Sequence, residues 1–246
     1  LSTGQRINNA GDDAAGLAIS SRMTTYIKGL DMAVRNANDA ISLVQTADGA
    51  LIEITNMLQR MRELAVQASS GTYSATDRDA LNVEFEALTA AIEDVADDTQ
   101  WNGTNLLNGA SAFSFHVGAN ASQTVSLTIG DFETSEDSAS SGIFEALADG
   151  VTSNDDNSDD DLALLDIDTV SNAGTALTYI STALSRVEAH RATLGATINR
   201  LEYAADNLSN VSQNTSASRS RVLDADYASE TTELARTQII QQAATA

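Results

Sequence analysis

The feature that most constrains the fold is a helical stripe of apolar residues between Leu30 and Ala68. Its members follow one another at steps of three or four residues, with one pair of consecutive three-residue steps at Val44. The stretch holds no Pro, and as a helix it would be about 58 Å long at about 1.5 Å per residue. It therefore requires partner helices of matching length, from this chain or from a neighbour. The stripe consists of Leu30, Val34, Ala37, Ile41, Val44, Ala47, Leu51, Ile54, Leu58, Met61, Ala65 and Ala68.

Two further stripes supply candidate partners. Residues 76–98 predict a helix, as do residues 175–220, and a helical pattern resumes over 224–246. Arg191 lies on the stripe of the second of these helices and requires an acidic neighbour or a route to solvent. Beyond Leu208, Ser and Asn dominate, which predicts a kink or fraying. The stripes are Leu81, Phe85, Leu88, Ile92 and Val95, then Leu177, Ile180, Leu184, Val187, Arg191, Leu194, Ile198, Leu201, Ala205 and Leu208.

Local signals set the expected helix ends. The first helix is expected over 14–70, with Asp12 or Asp13 near its start and Gly71 as the residue that follows its C-cap. Residues 76–79 predict a variant capping box at the start of the next helix. The Gly- and Asn-rich residues before the first helix fit either a bent connector or a frayed terminus. The short link between the first two helices predicts an antiparallel helical hairpin.

The middle of the chain has a different character. Apolar and polar residues alternate on both sides of a loop within 112–130, which predicts a β-hairpin. Residues 131–168 are rich in Asp, Ser and Gly and are interpreted as a small acidic insert, with a short helix expected over 143–148. The predicted fold is mainly α: long antiparallel helical rods with a small β-hairpin and a small irregular or α+β insert. The core domain would comprise 1–130 and 169–246.

Charge and residue type exclude several functions. Thirteen basic and 35 acidic residues give a net charge of −22, and residues 79–185 hold neither Lys nor Arg. Such a chain offers no basic patch for nucleic acid or for an anionic membrane surface. No apolar run is long enough to span a membrane, and the absence of Cys excludes disulfides and thiol chemistry.

No motif predicts catalysis, a metal or a cofactor. The acidic run at 153–161 lacks the Gly and the terminal Glu of a calcium-binding EF-hand loop and is interpreted as a solvated loop. His116 and His190 are far apart in sequence and occur in no zinc-binding arrangement. The sequence therefore predicts a protein that is not an enzyme.

Five segments, in order, resemble the conserved blocks of bacterial flagellins, covering about 1–130 and 170–246. This resemblance implies a structural subunit that self-assembles through its helical core into the extracellular flagellar filament for motility. It also implies export through the flagellar secretion channel, and contacts with an export chaperone and cap proteins. The segments are LSTGQRINNAGDDAAGLAIS at 1–20, QRMRELAVQ at 59–67, TQWNG at 99–103, RATLGA at 191–196 with NRL at 199–201, and SRVLDADYA at 220–228 with QIIQQA at 238–243.

The resemblance carries three further expectations. The chain would be a fragment lacking roughly the first thirty and last twenty-odd residues of a flagellin-like protein, and it would stay monomeric or weakly associated. Small shifts of the core domain control filament supercoiling in this family, and the hairpin at 112–130 is the expected switch. Filament subunit is the leading hypothesis; the alternative is a flagellin-like cell-surface adhesin or polysaccharide-binding protein.

The resemblance also assigns a surface patch. In flagellins the matching positions form the region engaged by the flagellin-sensing Toll-like receptor of animals, and the same surface is expected to face a neighbouring subunit in the filament. Arg60 and Leu64 are one helical turn apart and are expected to present a cation beside an apolar anchor. The patch comprises Gln59, Arg60, Arg62, Glu63, Leu64 and Glu84.

Overall fold

The computed structural model describes residues 4–109, 111–132 and 165–245. It confirms a mainly helical fold with long antiparallel helices and small β-hairpins. The short helix expected over 143–148 lies outside the described residues. The elements are α1 (Ala14–Ala68), α2 (Ala75–Asp98), β1 (Gln100–Trp101), β2 (Thr104–Asn105), β3 (Ser111–His116), β4 (Thr124–Ile129), α3 (Val170–Leu223) and α4 (Tyr227–Thr245).

The chain divides into two compact units. The first unit comprises residues 1–37, 116–124 and 203–246, and the second comprises residues 38–115 and 125–202. The separation of a helical core domain from an outer insert at 131–168 stays a prediction, because residues 133–164 lie outside the described part of the chain.

The core of the second unit is built from the predicted stripes. Leu51 on α1 is 0% exposed and Leu194 on α3 is 2% exposed, as expected of two apolar ridges that pack on each other. Burial removes these side chains from water and stabilises the unit by about 1.5 to 3 kcal/mol per large apolar residue. The same cluster includes Ile54, Leu58, Met61 and Leu64 of α1, Phe85 and Ile92 of α2, and Ile180 and Val187 of α3.

A polar pair interrupts the second stripe as expected. Arg191 Nε donates to Asp48 Oδ1 at 2.8 Å, and both side chains are about one-third exposed. The pKa of Arg191 is raised above its usual value, first by this hydrogen bond. The acidic neighbour that the sequence required is therefore Asp48.

The structure corrects the expected signals at the end of α1 and the start of α2. Helix α1 ends at Ala68, and Gly71 does not have the positive φ of a left-handed residue after the C-cap. The capping box begins two residues earlier than expected. Ser74 is the N-cap, its hydroxyl accepts from the Asp77 N–H, and the Asp77 carboxylate accepts from the Ser74 N–H at 3.0 Å. Asp77 can take the role of the usual Glu or Gln because its carboxylate reaches back to the same donor.

Two β-hairpins follow α2. The pair β1–β2 is joined by Asn102 and Gly103, both with positive φ, as a two-residue type I′ turn requires. The pair β3–β4 confirms the predicted hairpin, and the β4 side chains alternate between exposed and buried, with Val125, Leu127 and Ile129 turned to the core.

In the first unit, the N-terminal residues form a bent connector paired with another segment. The Arg6 N–H donates to the Leu223 carbonyl at 2.7 Å, and the Ala225 N–H donates to the Gly4 carbonyl at 3.1 Å. Asp13 caps α1 by accepting from the Gly16 N–H at 2.9 Å. Of the two alternatives for this region, the structure supports the connector.

Of the kink or fraying expected after Leu208, the fraying is absent, because α3 continues without a break to Leu223. In the first unit, side-chain hydrogen bonds between α1 and α3 support this polar part of the helix. Ser212 Oγ donates to Asp31 Oδ1 at 2.8 Å, and Arg219 Nη1 donates to Thr24 Oγ1 at 3.3 Å. Polar contacts of this kind take the place of the regular apolar stripe in this part of α3.

The edges of the acidic segment belong to the core of the second unit. Phe132 and Ile167 are both 0% exposed, although each lies within the predicted insert. The Phe132 N–H donates to the Leu107 carbonyl at 2.8 Å, and the Ile167 N–H donates to Asn82 Oδ1 at 2.9 Å.

The His190 ring contacts Phe132 edge to face, with ring centroids 5.6 Å apart. Burial lowers the pKa of His190 below its ordinary value of 6.5. Protonation therefore favours the unfolded state, and we expect the free energy of unfolding to fall as the pH decreases from about 6.5 through the lowered folded-state pKa. Denaturant titrations between pH 7 and pH 5 should show a steeper loss for the natural chain than for His190→Gln. Equal pH dependence in the two proteins would contradict this expectation.

Candidate interaction surface

The patch assigned from the sequence is organised by Arg60. This side chain on α1 donates through Nε to Glu84 Oε1 of α2 at 2.8 Å and through Nη1 to Glu63 Oε2 at 2.9 Å. The three side chains are 46–69% exposed. The hydrogen bond to Glu84, and secondarily the one to Glu63, raises the pKa of Arg60. A planar guanidinium suits this arrangement because its fork can serve two carboxylates at once.

Leu64 is buried, which differs from the exposed position expected for it in the patch. It is 1% exposed and belongs to the apolar core of the second unit, so it offers no apolar anchor beside Arg60 on the surface of this chain. The heptad stripe does not include Leu64, because such a stripe describes only the narrow face that a helix buries against a single partner helix. Helix α1 is covered by both α2 and α3, and its buried face is correspondingly wider.

Val66 supplies exposed apolar surface next to the charged residues of the patch. This residue is 54% exposed and lines a shallow groove of about 430 Å³ together with Gln59, Arg62 and Glu63. Ile52 is also exposed, at 39%. Ile52, Gln59 and Val66 are spaced by seven residues, so they lie on one face of α1. The sequence reasoning missed Val66, and its position off the buried stripe was the signal that could have found it.

Among the described residues, no group of three or more His, Cys, Asp or Glu side chains is placed to hold a metal ion. No helix in the described ranges is both long and apolar enough to cross a bilayer.

The long antiparallel helices and the polar surface across α1 and α2 define a helical structural subunit. Two family models match the chain: bacterial flagellin N-terminal helical region over residues 1–112, and bacterial flagellin C-terminal helical region over residues 177–246. The chain belongs to the bacterial flagellin family. It is a non-enzymatic structural subunit of the extracellular flagellar filament, which confirms the hypothesis from the sequence.

Individual relatives agree with this assignment. The chain is 44% identical to a flagellin of Halalkalibacterium halodurans, over 100% of this chain and 83% of the relative. The crystal structure of Bacillus cereus flagellin matches with a TM-score of 0.54 and 30% identity, over 71% of this chain and 88% of that one. A putative flagellar hook-associated protein from Vibrio parahaemolyticus has a TM-score of 0.66 at 11% identity, over 87% of this chain and 100% of that one. This last likeness concerns the fold alone.

Proposed function

We propose that the surface formed by Gln59, Arg60, Arg62, Glu63, Val66 and Glu84 packs against a neighbouring subunit in the filament. We call it the α1–α2 surface. The observation that carries the proposal is the double contact of Arg60 with Glu63 and Glu84, which fixes charged groups of two helices beside an exposed apolar residue.

The chemistry of this surface suits an interface. A fixed guanidinium loses less side-chain entropy on association than a free one, and arginine is enriched among residues that dominate binding energies. The groove beside it provides a concave apolar and polar lining for a side chain of another molecule. A contact between two different surfaces of identical subunits, repeated without closing, produces a helical filament.

Substitution of Glu84 tests the proposal. Glu84→Ala removes one of the two carboxylates that hold Arg60, and we expect the critical concentration for filament elongation to rise about tenfold, equivalent to about 1.4 kcal/mol. Glu86→Ala is the matched control: Glu86 is exposed on the same helix, carries the same charge, and contacts Asn82 instead. Sedimentation of filaments elongated from seeds measures both.

Folding must be assayed in parallel. The ion pair is exposed, so Glu84→Ala should change the free energy of unfolding by less than about 1 kcal/mol. A critical concentration that changes equally in the Glu84 and Glu86 variants would refute a specific role for the α1–α2 surface.

The flagellin-sensing Toll-like receptor of animals is a second candidate partner for the same surface. The exposure of Arg60, Glu63 and Glu84 on the single chain supports access by a receptor to the unassembled subunit. Surface plasmon resonance with the receptor ectodomain should show weaker binding for Arg60→Ala and Glu84→Ala, with Glu86→Ala unchanged. Leu64→Ala should act through stability, because Leu64 is buried. Unchanged receptor affinity in the Arg60 and Glu84 variants would exclude this partner from the surface.

Helix α4 is the candidate contact for the export chaperone and the cap proteins. Tyr227, Leu234, Ile239 and Ile240 are 45–66% exposed on this helix, which leaves apolar area for a partner to cover. Co-purification of the chaperone with the natural chain, and its loss with Ile239→Asp and Ile240→Asp, would support this assignment. Retention by the double variant would exclude these two residues from the contact.

A further inference from the structure

Two Asn-Gly pairs follow α2, and the first of them forms the whole loop of the β1–β2 hairpin, in which Trp101 pairs with Thr104. Asn102 and Gly103 have φ values of 50° and 79°, and both residues are exposed. A two-residue turn of this kind is closed by a hydrogen bond between the residues on either side of the loop. The Gly103 N–H takes no part in that bond and lies next to the Asn102 side chain.

The second pair, Asn108-Gly109, differs in what holds its side chain. Asn108 is half-buried, and its Nδ2 donates to Oδ1 of Asp97, near the end of α2, at 2.6 Å. Among the described residues, the Asn102 side chain has no such partner. The backbone is equally open at both glycines, because a Cβ built on Gly103 or Gly109 would meet nothing within 4 Å. The hydrogen bond to the side-chain amide is therefore what distinguishes the two pairs.

We infer that Asn102 is a site of spontaneous covalent modification, at which the folded protein converts asparagine to aspartate and isoaspartate, whereas Asn108 is protected by Asp97. The inference does not depend on the filament contact proposed above. Asparagine is one of the thermally labile residues of proteins. A following glycine favours its conversion because the absence of a Cβ lets the backbone nitrogen approach the side chain.

The reaction consumes water and requires no other reagent. The Gly103 nitrogen loses its proton to hydroxide and attacks Asn102 Cγ. A C–N bond forms, the Cγ–Nδ2 bond breaks, and ammonia leaves after taking a proton from water, which produces a five-membered imide ring. Water then opens the ring. Cleavage between the nitrogen and Cγ gives aspartate, and cleavage between the nitrogen and the main-chain carbonyl carbon gives isoaspartate. One water is consumed and one ammonia is released, with no oxidation or reduction.

Asp97 opposes this reaction at Asn108 in two ways. Its carboxylate accepts a charge-assisted hydrogen bond, which restrains the amide from turning towards the Gly109 nitrogen. Its charge also repels the negative charge that develops on the attacking nitrogen and on the amide oxygen. We expect the two effects to slow conversion of Asn108 by about tenfold, equivalent to about 1.4 kcal/mol.

Isoaspartate at position 102 is expected to open the β1–β2 hairpin. The main chain then passes through the side-chain methylene, which lengthens a loop whose geometry is fixed by its two-residue turn. Trp101, the single Trp of the chain, packs against the apolar core of the second unit from this hairpin. Its fluorescence therefore reports whether the hairpin stays closed.

Incubation of the folded protein in mildly alkaline buffer tests the inference, because hydroxide promotes the first step. Chymotryptic cleavage at Leu106 or Leu107 separates the two sites, and mass spectrometry then measures conversion at each. We expect Asn102 to convert about tenfold faster than Asn108. In guanidinium chloride the two rates should agree within about twofold, since a glycine follows each asparagine.

Three outcomes of this experiment overturn the inference. They are equal rates at the two sites in the folded protein, no conversion at Asn102, and a tenfold difference that persists in the unfolded chain. The last result would mean that the local sequence, and not the hydrogen bond to Asp97, sets the order of the two rates.

Asp97→Ala isolates the protecting hydrogen bond. It should raise the rate at Asn108 about tenfold and leave the rate at Asn102 unchanged. Asp98→Ala is the matched control, because Asp98 is exposed on the last turn of the same helix and carries the same charge. Equal rates at Asn108 in the two variants overturn the protective role of Asp97.

Asn102→Asp separates the added charge from the change in the backbone. Aspartate fits the same turn, so the fresh variant should have the Trp101 emission of the natural chain. Aged natural protein should instead shift its emission to longer wavelength in proportion to its isoaspartate content. Unchanged emission at full conversion to isoaspartate overturns the expected opening of the hairpin, as does an equal shift in the fresh variant.

Discussion

Replacing Phe85 by alanine is expected to lower the free energy of unfolding by about 3 to 5 kcal/mol. Phe85 is 0% exposed and is the largest of the buried side chains through which α2 packs in the second unit. Its removal would lose the transfer free energy of the ring and leave a cavity in the core of the second unit. Denaturant titration followed by circular dichroism measures the effect.

Val83 on the same helix provides the control for this variant. It is 67% exposed, so Val83→Ala should change the free energy of unfolding by less than about 0.5 kcal/mol. Similar losses for the two variants would mean that α2 is not oriented as the structure describes. The α1–α2 surface would also be affected, because Phe85 is the neighbour of Glu84 in the chain.

The second large effect is expected for Phe132→Ala, also about 3 to 5 kcal/mol. Phe132 is fully buried, and its ring contacts His190. Loss of the ring should expose His190 to water and return its pKa towards 6.5, so the pH dependence of stability between pH 7 and pH 5 should become shallower. Urea titrations over this pH range test both consequences.

Ile167→Val tests the other edge of the acidic segment with a smaller change of side chain. We expect it to lower the free energy of unfolding by about 0.5 to 1.5 kcal/mol. If Phe132→Ala cost less than about 1 kcal/mol, residue 132 would not belong to the core. That result would favour the prediction from composition that this edge of the segment lies outside the core.

Apolar spacing predicted the long helices, and the short link between the first two predicted their antiparallel pairing. The members Leu51 and Leu194 of the two stripes are buried where the heptad spacing placed them, and Arg191 found its acidic partner in Asp48. Alternation similarly identified β3 and β4. These predictions succeeded because the periodicity of a helix or a strand is a local property of the chain.

Local signals were less reliable at element ends. The cap of α2 is Ser74 and not Thr76, because both hydroxyl residues near the helix start can serve as an N-cap and the packing of the helix selects between them. The fraying predicted after Leu208 is absent for a related reason. Ser212 and Arg219 are polar in sequence, but both find partners on α1.

The sequence by itself determined that this chain is a flagellin built from long, paired amphipathic helices with a strong negative charge. Only the tertiary structure decided which side chains of those helices remain at the surface. A heptad stripe describes the face with which a helix contacts one partner helix, whereas α1 in the second unit has partners on more than one side. Leu64 is therefore buried although it lies outside the stripe, and Val66 remains exposed. The number of partners that cover a helix depends on residues distant in sequence, and spacing along one helix does not contain that information.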